Sequence, residues 1–310
     1  MLKKRLQNRV AESRMALPIA GIYALVVCLM GGVWSQQMWL QLGLLALSSF
    51  LMMELNNANS LIRIYSRMVS CSFLFLAVMS YFLFPDIKCG VVEICFISFY
   101  IFLFNAYQDK RAIGSIFYAF LMIGVASTVF VQILYFLPII WILMGTNIMV
   151  LNFRTALASL LGLIVPYWFM SSYYIYIGHL DVLATHFAGL VLFDDISGWY
   201  DVPLHQVLTA IFVAILSFLG IIHFRLNNYK DKIRIRMLFE IFSFMAIFTM
   251  VFLTLQPQLL HCLLALLIVS TSPMVGHYIA LTNSKVTNIS FVLILLINIA
   301  LTAYNIWIQF

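Results

Sequence analysis

Residues 204–255 read LHQVLTAIFVAILSFLGIIHFRLNNYKDKIRIRMLFEIFSFMAIFTMVFLTL. Two apolar runs, 204–224 and 237–255, flank a connection that carries Arg225, Lys230, Lys232, Arg234 and Arg236. About 20 apolar residues, each rising about 1.5 Å, cross a hydrocarbon core about 30 Å thick, so each run predicts one transmembrane α-helix. Lys and Arg are retained in short loops on the cytoplasmic side. The stretch therefore predicts a helical hairpin in a membrane with its turn in the cytoplasm.

The same alternation extends in both directions. Apolar runs bounded by polar turns fall near 17–34, 38–54, 68–84, 90–107, 112–130, 132–150 and 155–177, and after the quoted hairpin near 259–281 and 286–308. The expected fold is all-α, a polytopic bundle of about eleven spans with a cytoplasmic N-terminus and a periplasmic C-terminus. The connections with Arg63, Arg67, Lys110, Arg111, Arg154 and Lys285 then join the basic arm and the 225–236 turn on one side, leaving only Lys88 of the 17 Lys and Arg residues on the other. A wrong span count would scramble that sorting, so charge checks hydropathy. Asp86, Asp181, Asp194, Asp195 and Asp201 gather on the opposite face. Trp34, Trp39, Tyr81, Trp199, Tyr200 and Trp307 fall at the expected interfaces, where amphipathic rings are favoured.

Composition fits one class. Of 310 residues, 64% are hydrophobic and 9% charged, against roughly 25% charged in soluble domains. Residues 1–16 form a basic arm and 17–310 a single membrane domain, with no room for a separate soluble one. The arm leads into a full-length span, which predicts a retained anchor over a cleaved signal. The net charge of +6 is spread over loops, which argues against nucleic acid. The expected partners are membrane lipids and other membrane proteins. The five cysteines form no framework; a Cys89–Cys95 bridge is conceivable, but buried thiols are the plainer reading.

Within the spans, Pro138, Pro166 and Pro273 predict kinks, whereas Pro18 and Pro203 fall at helix starts. Ala158-xxx-Gly162 and Gly276-xxx-Ala280 permit close helix approach. Glu93, Pro273, Gly276 and His277 are the candidates for a substrate or ion path, because ionisable groups at depth are expensive and often functional. Ser270-Thr271-Ser272-Pro273-Met274-Val275-Gly276-His277 predicts either a broken helix with exposed backbone or a plain kink satisfied by hydroxyls.

One opposite-face connection is long: HLDVLATHFAGLVLFDDISGWYDVP, residues 179–203. At 100° per residue Leu180, Val182, Leu183, Phe187, Leu190, Val191 and Phe193 share one face, which predicts an interfacial amphipathic helix near 179–193. His179, Asp181, His186, Asp194, Asp195, His205 and His261 could meet on this face and are the catalytic candidates, by acid/base work or proton relay. The bland alternative is solvated loop and helix-end residues. His179 and His186 stand about 10.5 Å apart along a helix, too far to share a zinc directly, and no metal motif appears. No metal or other cofactor is expected.

The segments FLMIGVASTVF (120–130), LPIIWIL (137–143) and NFRTALASLLGLIVPYW (152–168), with Arg154, Gly162 and Pro166, resemble a family of multi-pass inner-membrane proteins of the Bacteroidetes. The resemblance implies the inner membrane of a Gram-negative cell and no assigned activity.

Three functions follow as expectations. One is envelope biogenesis, handling a lipid-linked or glycan substrate at the periplasmic face, where the 179–193 helix would present it. Polyprenyl-dependent glycosyltransferases usually carry an acidic motif in a large first outer loop, here only Ser35-Gln36-Gln37, and glycan polymerases bring arginines outside, where only Lys88 falls. The second is an ion-coupled small-molecule transporter using His277, the Pro273 break and Glu93 or His261. The third is a non-catalytic subunit of a larger membrane complex.

Overall fold

The computed structural model describes residues 5–309 except 192, 194 and 195. Every regular element among them is helical. In chain order these are α1 (Leu6–Ala11), α2 (Ala16–Met30), α3 (Trp39–Asn59), α4 (Met68–Met79), α5 (Ile87–Asn105), α6 (Ile113–Val129) and α7 (Leu137–Thr146). They continue with α8 (Phe153–Ile177), α9 (Leu180–Ala188), α10 (Leu204–Asn227), α11 (Ile233–Leu255), α12 (Leu260–Leu281) and α13 (Lys285–Gln309).

Among the described residues seven helices, α3, α5, α8, α10, α11, α12 and α13, are long and apolar enough to cross a membrane. Helices α2, α4, α6 and α7, the last with the 3-10 turn before it, are apolar but shorter. The shortfall against eleven full-length spans has local causes. The 68–84 run leaves helical geometry at Ser80 (ψ 45°) and passes into a 3-10 turn, Tyr81–Leu83. The 132–150 run divides into a 3-10 turn, Val131–Phe136, and α7. Pro138, expected to kink a span, instead occupies the first turn of α7, where its missing N–H has no intrahelical acceptor to lose.

Helix α12 is the axis of the core. It packs on α4, α5, α10 and α11, and 89% of its span is buried, against 22% for α8 and 17% for α13. Despite Pro273 it runs unbroken from Leu260 to Leu281, so the broken-helix expectation gives way to a continuous helix. Ser272 Oγ donates to Ile268 O (2.5 Å), one of several local hydroxyl bonds near the proline. Gly276 permits direct backbone contact: a Cβ there would lie 2.9 Å from Val69 N of α4. On the far side of the bundle Gly162 of α8 does the same, with a Cβ only 2.4 Å from Phe117 O of α6. Rings of α5 and α11 fill the space beside α12; Tyr100 and Phe242 meet at 4.8 Å, and the Tyr100 hydroxyl bonds Ser270 Oγ at 3.0 Å.

Polar connections are tied to one another end by end. At the Lys/Arg-rich end, the Gln7 side chain of α1 donates to Ile279 O and Thr282 Oγ1, and Asn8 donates to Thr282 O. Gln108 N–H donates to Ile148 O, and Asn152 Nδ2 to Lys110 O. Asn152 also builds the capping box that starts α8, exchanging hydrogen bonds with Thr155. At the other end, Tyr81 donates to Gly31 O, Gln41 to Pro85 O and Trp199 Nε1 to Thr254 O. The expected 179–193 helix is shorter, ending at Ala188, and none of its residues is buried. Gln132 and Tyr135 hold the chain after it through Gly189 O and Leu190 O.

Candidate functional site

The most developed polar constellation lies at the basic end of α12. Ser60, in the left-handed region (φ 50°), ends α3 and turns the chain into an irregular loop, 60–67. Asn56 Nδ2 pins that loop through Ser66 O (3.0 Å). Opposite it, a 3-10 turn, Asn228–Lys230, joins α10 to α11 and ends in Asp231. Asp231 is the sole acid of the 225–236 connection, and its side chain turns inward to only 4% exposure. Its Oδ2 receives His277 Nε2 at 3.1 Å, while Arg63 Nη1 stands 3.9 Å from Oδ1 and donates to Lys230 O. His277 is sealed among Phe239 (4.8 Å), Phe224 (5.5 Å) and His223 (5.6 Å). The Nδ1 atoms of His277 and His223 are both buried without a partner.

Between the 56–66 segment and the 230–235 turn opens a basin of about 860 Å³. Arg63, Lys230, Lys232 and Arg234 line it, with Asp231 as the one carboxylate and Asn56 and Asn59 on the wall. Arg234 is held by Asn59 Oδ1 (2.9 Å), by Phe104 O (3.3 Å) and over the Tyr107 ring (5.7 Å). Asp231 thus links an open cationic basin to the buried histidine at the end of α12.

A second basin, about 650 Å³, opens at the other end of the same helix. Asp86, Lys88, Gln132, Asp201, Gln206, Gln258 and His261 line it. Asp86 caps α5 by accepting from Lys88 N–H (2.9 Å). His261 and His205 both pack on Phe82, at 5.7 and 5.8 Å. Glu93 is buried below, in a small cavity that Asp86, Cys89 and Gly90 also line. Cys89 contacts Cys262 of α12, and all five cysteines are free.

The candidate residues therefore divide. His205 and His261 share Phe82, and His277 joins Asp231. Different partners hold the other two histidines that could have met His205 and His261 on this face. His179 and Asp181 stay exposed, 3.8 Å from each other, and His186 Nε2 bonds Ser127 O at 3.0 Å beside Tyr167. Asp194 and Asp195 lie outside the described residues. Pro273 and Gly276 serve packing within α12. No group of three or more metal-ligating side chains occurs among the described residues. Sequence reasoning missed Asp231, Arg63 and Arg234; the available signal was one acid inside an otherwise cationic loop. Compared with known families, curated proteins and solved structures, the chain matches none.

Proposed function

We propose that the protein is an ion-coupled transporter of small anionic solutes, with α12 as the pathway element between two polar basins. One observation carries this: the most buried helix of the bundle bears ionisable residues at both ends, His261 and His277, and each end adjoins a polar basin. Hydroxyls lie between them. Ser270 holds Tyr100, and Thr271 Oγ1 is buried without a partner, as are Ser70 and Ser72 on the packed α4. Buried polar groups left unpaired cost free energy, and an ion or water path is one physical reason to retain them.

In this reading α2, α4, α6 and α7 complete the crossings begun by the seven long helices, for eleven in all. The hydrogen bonds that join the basic connections at one end support it. Positive loops support a cytoplasmic position for that end, and the Bacteroidetes resemblance supports a bacterial inner membrane. Single cysteines at positions 88 and 232 in a cysteine-free background test the orientation. An impermeant maleimide added from the periplasm should label 88 and spare 232; the reverse pattern overturns it.

Transport itself is tested with proteoliposomes on a solid-supported membrane, challenged with carboxylates, sulfonates and phosphate esters. A charge-displacement transient that Glu93→Gln and His277→Asn diminish supports the proposal. No transient from protein that keeps its melting midpoint discards it. A second reading, lipid-linked substrate handling at the outer basin, is favoured by the exposed Leu180, Val182 and Phe187 of α9. Asp201→Asn should then stop turnover without lowering protein level, whereas a transporter loses only solute affinity on that side.

A further inference from the structure

We infer that the basic-end basin is a binding site for a polyol phosphate, an anion carrying free hydroxyls next to its phosphate. This deepens the transport reading by naming what the basin holds, and rests on that reading only for what happens to the ligand afterwards. Four cations, Arg63, Lys230, Lys232 and Arg234, surround one cavity and face a single carboxylate. Asp231, 3.9 Å from Arg63, can offset one of them and leaves the cations in excess. Like charges held together repel, and an anion in their midst relieves the repulsion. Phosphate suits them because guanidinium groups bind its oxygens through paired N–H donors and ammonium groups add point charge.

Two further features select among anions. The volume, about 860 Å³, exceeds the need of an inorganic ion and falls within the range of small-molecule sites. The wall also offers groups for a neutral polar portion. Asn56 is 7% exposed, and its Oδ1 is buried with no donor, while its Nδ2 is spent on Ser66 O. Asn56 lines the basin, and its orphan acceptor is one that an anion cannot satisfy and a hydroxyl can. Arg234 Nε is likewise buried and unpaired, a donor left for an oxygen. Donor-rich cations beside an orphan acceptor match a ligand with phosphate oxygens and hydroxyl hydrogens together.

Such chemistry reaches the basin from two sources: a soluble sugar or glycerol phosphate, or the headgroup of an anionic phospholipid. The test uses the full chain in zwitterionic phosphatidylcholine discs at low salt, titrated with sn-glycerol 3-phosphate, with glycerol and sulfate as controls. The expected result is a saturable rise in melting midpoint with glycerol phosphate, absent with glycerol and weaker with sulfate. Lys230→Gln with Lys232→Gln should weaken binding about tenfold. Both lysines are exposed, and the Lys230 ammonium bonds Asn227 and sits over the ring of Tyr229; each single variant carries the same test should the double one fail to assemble. A midpoint raised by phosphatidylglycerol discs, with no further response to glycerol phosphate, assigns the site to the headgroup. No response to either source overturns the inference, as does an equal response in the lysine variants. Sulfate matching glycerol phosphate overturns the hydroxyl requirement. Binding is read at equilibrium, so a protein that binds yet moves nothing retains this site and loses the transport reading.

Discussion

Helix α12 and the 179–203 segment hold similar chemical inventories, and the fold treats them in opposite ways. Both contribute histidines, hydroxyls and glycine, and the segment adds acids. Yet 89% of the α12 span is buried, whereas α9 has no buried residue at all. In α12 the polar groups from Ser270 to His277 are desolvated and must find a partner or remain unpaired at a cost. In α9 water can reach the same kinds of group. Density of polar residues along the chain is thus a poor guide to a site; the environment that the fold imposes decides which of them interact strongly.

The sharpest way to break this comparison is at its acids. Asp231→Ala removes the acceptor of His277 Nε2 and leaves a buried ring nitrogen unpaired, which should cost about 3 kcal/mol. The measurement is the melting midpoint in discs or detergent, where this should be the largest fall of the set. If Asp231→Ala melts like wild type, the inward turn of that side chain is wrong and the contrast between the regions collapses.

Packing sharpens the same contrast. Gly276→Ala would put a methyl 2.9 Å from Val69 N, so α4 and α12 must separate, at about 1–3 kcal/mol. Gly189→Ala, beside α9, would meet only His186 O at 3.2 Å and Val131 Cγ1 at 3.5 Å, and should melt within a small margin of wild type. Next in size is Tyr100→Phe, which deletes the hydroxyl on Ser270 and should destabilise by about 1 kcal/mol. Its partner Ser270→Ala should show less than additive loss in combination, since the two share one hydrogen bond.

How much of this was legible follows from the same distinction. The helical membrane class could be read from 204–255 alone, because hydrocarbon thickness and charge sorting act on consecutive residues. Helix ends were less legible. Ser80 interrupts a run that composition presents as continuous, and Asn56 to Asn59 extend α3 beyond the last apolar residue by bonding within and beside the helix. The Asp231–His277 pair was not legible at all. RLNNYKDKIRIR reads as a solvated basic loop, and its acid finds a partner 46 positions away that only the assembly of α10, α11 and α12 brings near. His277 was identifiable as an ionisable group at depth; what it would meet was not. Conversely, His179 and His186 were candidates because they share a connection rich in acids, and there His179 meets only the exposed Asp181 while His186 bonds a backbone carbonyl, Ser127 O.

The smallest expected effect lies in the region richest in candidates. His179 and Asp181 stand 3.8 Å apart with side chains 65% and 78% exposed. At such exposure the pair is screened by water and salt, so its contribution to stability is near zero. His179→Ala and Asp181→Ala, alone or together, should leave the melting midpoint unchanged and should leave charge-displacement transients intact. His186 differs from them by its bond to Ser127 O, so His186→Ala should loosen α9 locally. Hydrogen exchange across residues 180–190 should rise while exchange in α12 stays as it was. Loss of transport in the exposed pair would invert the comparison, moving the functional centre from the buried helix to the surface segment that the linear sequence first recommended.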